Sequence, residues 1–269
     1  MQKEFEGKVC IVTGATQGVG AAVAKHFAEG GAEGVVVCGR NSQRGTAVAN
    51  DLKSSGTDAL FISSELGSES DCINIIQQTL KRFGHIDILI NAGGITDRNS
   101  IANFSSESVK HIFDINVLAP MILMREAINS MRESGNQGSI VNVSSVVASG
   151  GPDFLCAYAA SKAALETVTK NAAYAVMRSR IRVNAIAPGW IDTPGEHATQ
   201  LKYHKQDENW LSRAEQLQPF GRLIKVDELA EAIGFLAGPR SGLMTGAVVH
   251  FDQSVPGAGN QPIPPITEA

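Results

Sequence analysis

The feature that most constrains this chain is an alternation of short apolar runs with longer segments of helical period. The runs lie at 8–13 (KVCIVT), 35–38, 59–62, 86–90 (IDILI), 139–143 (SIVNV), 181–186 (IRVNAI) and 247–251. Between them, apolar residues recur at helical spacing over 19–29, 46–53, 72–83, 106–131, 158–177 and 226–236. Strands joined through helices pair in parallel with right-handed crossovers, and strands that are apolar throughout need cover on both faces. The expectation is therefore an α/β chain: a doubly wound, parallel, seven-stranded sheet with helices on both faces, in one domain over 1–269. Pro120 predicts a kink or break inside 106–131. The polar stretch 192–218 stands outside the alternation, and the Pro- and Gly-rich end from about 255 to 269 reads as an extended tail.

Composition narrows the classes. With 43% hydrophobic and 19% charged residues, the chain can fill a large core and is not a disordered sequence. Its net charge is −4, which disfavours nucleic acid as a partner. No run of about 18 apolar residues exists to span a membrane, and the opening MQKEFEGK lacks the apolar core of a secretory leader. A cytoplasmic protein is expected. The cysteines at 10, 38, 72 and 156 form no C-x-x-C pair and no zinc spacing, so they read as reduced thiols, and no metal site is expected.

After the first strand comes Thr13-Gly14-Ala15-Thr16-Gln17-Gly18-Val19-Gly20, which opens the first helix. A turn at that place presents backbone N–H groups and the positive end of a helix, a fit for a pyrophosphate. Glycine is needed there so that the backbone can approach the phosphate and the helix can pack closely. Thr16, Gln17, Gly18 and Val19 join Gly14 and Gly20 as predicted cofactor contacts. The second strand ends at Gly39-Arg40-Asn41. An acidic residue there would bind a ribose 2′-hydroxyl, whereas arginine suits a 2′-phosphate. Arg40 thus favours NADP(H) over NAD(H), and Asn41 joins it as a predicted cofactor contact.

The decisive spacing is Ser145, Tyr158, Lys162. Tyr158 and Lys162, at i and i+4, share one helix face. Ser145 follows the fifth strand, and ligands of such sheets bind beyond the carboxyl ends of the strands. The three groups suit carbonyl reduction. A phenol can protonate the developing alkoxide, an adjacent ammonium would lower the phenol's pKa, and a hydroxyl can hold the oxygen.

With Asn91-Ala92-Gly93 after the fourth strand, Asn116, and Pro188-Gly189 after the sixth, the sequence resembles the short-chain dehydrogenase/reductase family in its compact branch, from about residue 5 to about 253. That resemblance implies a Rossmann-like fold and further roles. Asn116 would be a fourth catalytic residue, its backbone holding a water that relays protons to Lys162. Asn91 would brace the central strands, with Ala92 and Gly93 against the cofactor. Glu65 and Leu66 would touch adenine. Pro188 and Gly189 would pass beside the nicotinamide, and Ile191 and Thr193 would contact its carboxamide. Lys162 would also bind the nicotinamide ribose. The segment from about 190 to 220 would be a lid, bringing Trp190, Glu196 and His197 to a substrate pocket lined by Gly94, Thr96, Val147 and Pro152. A homotetramer or homodimer would form through the Tyr158 helix and the last strand.

The chain departs from the family pattern at Glu65, at Ile90 and at Asp252-Gln253-Ser254, none of which removes a reacting group. The reading is an NADP(H)-dependent oxidoreductase acting on a small ketone or secondary alcohol. A 3-oxoacyl thioester, a sugar or polyol, a steroid and a small amino-ketone all remain open as substrates. The alternative is a catalytically idle, NADP(H)-sensing binding protein on the same fold.

Overall fold

Seven strands form one parallel sheet in the computed structural model, which describes residues 3–255. They are β1 (Val9–Val12), β2 (Gly34–Gly39), β3 (Asp58–Ser63), β4 (Ile88–Asn91), β5 (Ser139–Val143), β6 (Arg182–Pro188) and β7 (Val248–Phe251), in the order β3-β2-β1-β4-β5-β6-β7. The helices are α1 (Gly18–Glu29), α2 (Ser42–Ser54), α3 (Glu69–Phe83), α4 (Ser106–Phe113), α5 (Ala119–Glu133), α6 (Cys156–Val176), α7 (Pro194–Tyr203), α8 (Trp210–Gln216) and α9 (Val226–Ala237). This is the doubly wound α/β fold that the alternation predicts.

Period-two alternation along the strands separates two cores. Cys10, Val12, Val35, Val37, Ile88 and Ile90 point to the face covered by α1, α2 and α9, where they meet Phe27, Leu52 and Leu229. Ile11, Val36, Cys38, Leu89 and Ile140 point to the other face, against Ile75 of α3, Leu123 of α5 and Val176 of α6. The central strands β1 and β4 are almost wholly apolar because both of their faces are covered, whereas the edge strand β7 exposes His250.

Several details differ from the sequence reading. α2 and α3 start earlier than their apolar periodicity suggests. Asn41 caps α2 by accepting a hydrogen bond from the Arg44 N–H at 2.9 Å, and Ser68 caps α3 through the Asp71 N–H at 3.3 Å. A cap fixes a helix start that polar first-turn residues hide from periodicity. The break in 106–131 is a wide π turn, Asp114–Leu118, placed before Pro120. Pro120 itself lies in the first turn of α5, where a missing N–H costs nothing. β6 continues through Pro188, which pairs with Phe251, instead of ending at 186. The polar stretch after β6 contains two helices, α7 and α8, that its composition concealed. No helix among the described residues is long and apolar enough to cross a membrane. The predicted tail lies outside the described residues except for its first residue, Val255.

Candidate active site

The strand order reverses between β1 and β4, and a ligand crevice opens at the carboxyl end of such a switch point. The loops leaving these two strands press together there. A Cβ on Gly14 would stand 2.6 Å from Gly93 Cα, and the φ of Gly14 is +65°, so no larger residue fits. A Cβ on Gly20 would meet the Gly14 carbonyl oxygen at 2.5 Å. Thr13 Oγ1 ties the two loops by accepting the Gly93 N–H at 3.0 Å. α1 begins at the crevice with no side-chain cap and no acidic residue in its first turn, so its leading N–H groups lack a protein acceptor.

The opposite wall is α6. Its start is held from outside its own sequence: Asn99 Oδ1 accepts the Ala157 N–H at 2.9 Å. Within the first turn, Ser161 Oγ donates to the Tyr158 carbonyl at 2.7 Å and accepts from Asn116 Nδ2 at 3.0 Å. Asn116 also exchanges two 2.9 Å bonds with the backbone of Ile95. Its side chain is therefore spent on bracing α6 and the β4–α4 loop. Its place inside the π turn takes its backbone out of the regular i→i−4 ladder. Lys162 is buried, donates from Nζ to the Val143 carbonyl at 2.7 Å, and lies 5.6 Å from the centre of the Tyr158 ring.

These surroundings set the acidities. Desolvation pushes the Tyr158 phenol up; hydrogen bonding with Ser145 pulls it down, the Glu196 charge raises it and the Arg98 charge lowers it. Among the protein's own groups burial dominates, and the Lys162 ammonium is directed at a carbonyl. Burial brings Lys162 itself from 10.5 to about 8.

One cavity of about 350 Å³ gathers many of the sequence-predicted residues. Gly14, Gln17, Gly18, Val19 and Gly20 line its α1 side, with Ala92 from β4. Ser145, Tyr158 and Lys162 line its centre, and Pro188, Gly189, Ile191 and Thr193 its β6 side. Gly94, Thr96, Trp190 and Glu196 stand at its mouth.

Other predicted residues lie off this cavity. Asn91 is buried and donates to Asn142 Oδ1 across β4 and β5 at 2.8 Å, a brace between strands. Gly93 packs on Gly14, and Thr16 lies against Gly39. Leu66 packs on the second core. Arg40 and Glu65 form an exposed ion pair at 3.7 Å, while the Asn41 side chain caps α2. Val147 and Pro152 are not on the cavity lining. His197 is turned toward α8: its Nδ1 accepts from Trp210 Nε1 at 2.7 Å, and its Nε2 meets Glu208 at 3.1 Å.

The sequence reading missed Ile95, Val143, Ser144 and Gly195 on the lining, together with Arg98 and Asn99 behind it. Ser144 precedes a residue that was found. For Asn99 the sequence carries no local signal, because its partner is 58 positions away.

Comparison with known proteins agrees with this architecture. The family model described as enoyl-(acyl carrier protein) reductase matches residues 14–254. A Thermotoga maritima protein described only as an oxidoreductase is 35% identical over 248 residues, covering 92% of this chain and 97% of its own. A 3-oxoacyl-(acyl-carrier-protein) reductase of the same organism is 33% identical over 260 residues, covering 92% and 97%. Among solved structures, L-sorbose reductase from Gluconobacter frateurii, complexed with NADPH and L-sorbose, matches with a TM-score of 0.88 at 28% identity, covering 94% of this chain and 98% of that one. The chain belongs to the short-chain dehydrogenase/reductase family.

Proposed function

We propose that the protein interconverts a ketone and a secondary alcohol with NADP(H). The observation that carries this reading is the convergence of two hydroxyls, Ser145 and Tyr158, and the Lys162 ammonium in the cavity that also receives the uncapped start of α1. The residues present fit a dinucleotide. The glycine turn allows close approach, and the free N–H groups of α1 suit a pyrophosphate. When bound, the nicotinamide supplies the hydride in reduction and accepts it in oxidation.

The chain's own groups do the remaining chemistry. Ser145 Oγ accepts the Val147 N–H at 3.4 Å and lies in hydrogen-bonding contact with the Tyr158 hydroxyl, so its O–H can turn from that hydroxyl to a substrate oxygen placed between them. Tyr158 gives its proton to the same oxygen as negative charge develops, and takes it back in the reverse direction. Lys162 uses one N–H on Val143 and has two more for ribose hydroxyls. Its positive charge, held close to the ring, favours the phenolate that remains. The wide turn at Asn116 offers a backbone site for a water linking Lys162 to solvent. A proton donor and an oxygen-holding hydroxyl side by side serve a carbonyl better than a carbon–carbon double bond. The names of the 3-oxoacyl reductase and the sorbose reductase describe carbonyl reduction too.

Preference for NADP(H) rests on Arg40. Its ion pair with Glu65 is exposed on both sides, and such pairs are worth about 0–1 kcal/mol, so a 2′-phosphate can displace the carboxylate. We also infer association between copies. Leu118 and Met121 near α5, Tyr174 on α6 and Leu243 near the free edge of β7 are large apolar side chains left exposed.

The test is NADPH oxidation by the purified protein across a panel of ketones, with NADH in parallel. Turnover of at least one ketone is expected, with kcat/KM for NADPH about tenfold or more above NADH, and Arg40→Asp is expected to erode that ratio. Equal use of both nucleotides would overturn the cofactor assignment. Tight NADPH binding with no turnover across the panel would favour the idle binding protein.

A further inference from the structure

The mouth of the cavity carries a carboxylate whose local sequence predicts another job. Thr193 caps α7, and Glu196 stands three residues later, the spacing of a capping box. In a capping box the glutamate folds back onto the N-cap backbone, as Glu228 does on α9 by accepting the Lys225 N–H at 3.1 Å. Glu196 does not. Its backbone N–H is received by Thr193 Oγ1 at 3.0 Å, but its carboxylate turns to the cavity wall. There Oε1 accepts from Trp190 Nε1 at 2.8 Å and from Gln200 Nε2 at 2.7 Å. Both bonds arrive at the same oxygen, which fixes the group and leaves Oε2 as an acceptor. The first turn of α7 favours its negative charge.

Across the mouth, Thr96 Oγ1 accepts from Arg98 Nη1 at 3.2 Å, so its O–H is free to donate. Arg98 is itself fixed. Its Nη2 lies 2.8 Å from His204 Nε2, and its guanidinium sits over the rings of Phe154 and Tyr203 at 5.3 and 5.4 Å. The mouth therefore presents a preset acceptor and a preset donor, with the Arg98 charge held just behind the donor.

We propose that Glu196 Oε2 and Thr96 Oγ1 form a hydroxyl-reading subsite, and that the substrate is a neutral polyhydroxylated ketone or the corresponding polyol. A hydroxyl both donates and accepts, so one such group can satisfy both. A carboxylated ketone would bring its charge to Glu196. A cationic ketone would face Arg98, whose charge reaches the Tyr158 hydroxyl just as that of Glu196 does, with opposite effect. A purely apolar chain would strip water from both groups and return no hydrogen bond. The lock on Oε1 also has a thermodynamic use, since an acceptor already immobilised gives up little entropy when the ligand arrives.

This inference rests on the carbonyl chemistry proposed above, and the experiment separates the two. Initial rates with NADPH are compared for erythrulose, butanone (the same carbon skeleton without hydroxyls), acetoacetate and aminoacetone, using the full chain and its Glu196→Gln and Thr96→Val variants. NADPH binding, read by fluorescence, reports that each variant is folded. Erythrulose is expected to be preferred over the other three. Glu196→Gln is expected to lose at least about tenfold more kcat/KM on erythrulose than on butanone, mainly through KM. Preference for butanone, acetoacetate or aminoacetone would overturn the subsite while leaving ketone reduction standing. Equal losses on erythrulose and butanone in both variants would do the same. No turnover of any of the four would overturn the inference together with the reading beneath it.

Discussion

Tyr158→Phe is expected to lower kcat for ketone reduction by about 10³-fold, with NADPH affinity unchanged within about threefold. The ring still fills its place in the wall of the cavity. The pyrophosphate end of the site, at Gly14 to Gly20, lies on a different element and loses nothing. What disappears is the proton that must reach the alkoxide. Steady-state rates together with a fluorescence titration of NADPH check this. Turnover within a few-fold of the parent would mean that another group, or water, delivers the proton.

Lys162→Met is expected to move activity and stability in opposite directions. Activity falls about 10²-fold or more, because the positive charge beside the phenol and two donors for the ribose are removed together. Stability at pH 7 rises. In the unfolded chain the ammonium keeps its proton up to about 10.5, while in the folded chain burial brings that value to about 8. Below pH 8 both states are protonated, and folding bears the whole cost of burying the charge, on the order of 2 kcal/mol after allowance for local relaxation. The Val143 carbonyl, which loses its donor in the variant, offsets part of the gain. The midpoint of thermal unfolding is therefore expected to be a few degrees higher in the variant at pH 7. The gap should narrow as the pH rises above 8, where the folded parent begins to shed the proton. Unfolding curves at pH 7 and pH 9.5 check both parts. A variant less stable than the parent at pH 7 would show that the lysine is stabilising in its pocket.

These expectations draw on different depths of the sequence. The sheet and its covering helices were legible because strand pairing follows from local periodicity and from the short distance between consecutive elements. The glycine turn and the Tyr158–Lys162 spacing were legible because each lies within one element or one turn. What the sequence hid depends on contacts between distant segments. Asn99 anchors α6 from the β4–α4 loop, and no local pattern announces it. α7 and α8 are rich in polar residues, and their apolar contacts are few, centred on Trp210, Ala214 and Leu223. The place of His197 in the chain groups it with the substrate residues, yet its partners Trp210 and Glu208 hold it against the start of α8. The burial of Tyr158 and the nearness of Ser145, Glu196 and Arg98, which also bear on its acidity, come from four separate parts of the chain and leave no local pattern.

The segment between β6 and α9 leaves and rejoins the fold at almost one point. Ile191 bridges Ile224, the Asp192 N–H donates to the Ile224 carbonyl at 2.9 Å, and Lys225 Nζ binds both Asp192 at 2.9 Å and Glu215 at 3.1 Å. Everything between these residues is an excursion whose two ends are already stitched, and it contributes no strand to the sheet. Replacing this excursion by one of another length is therefore expected to leave the sheet intact, with Ser145 after β5 and Tyr158 and Lys162 on α6 unmoved.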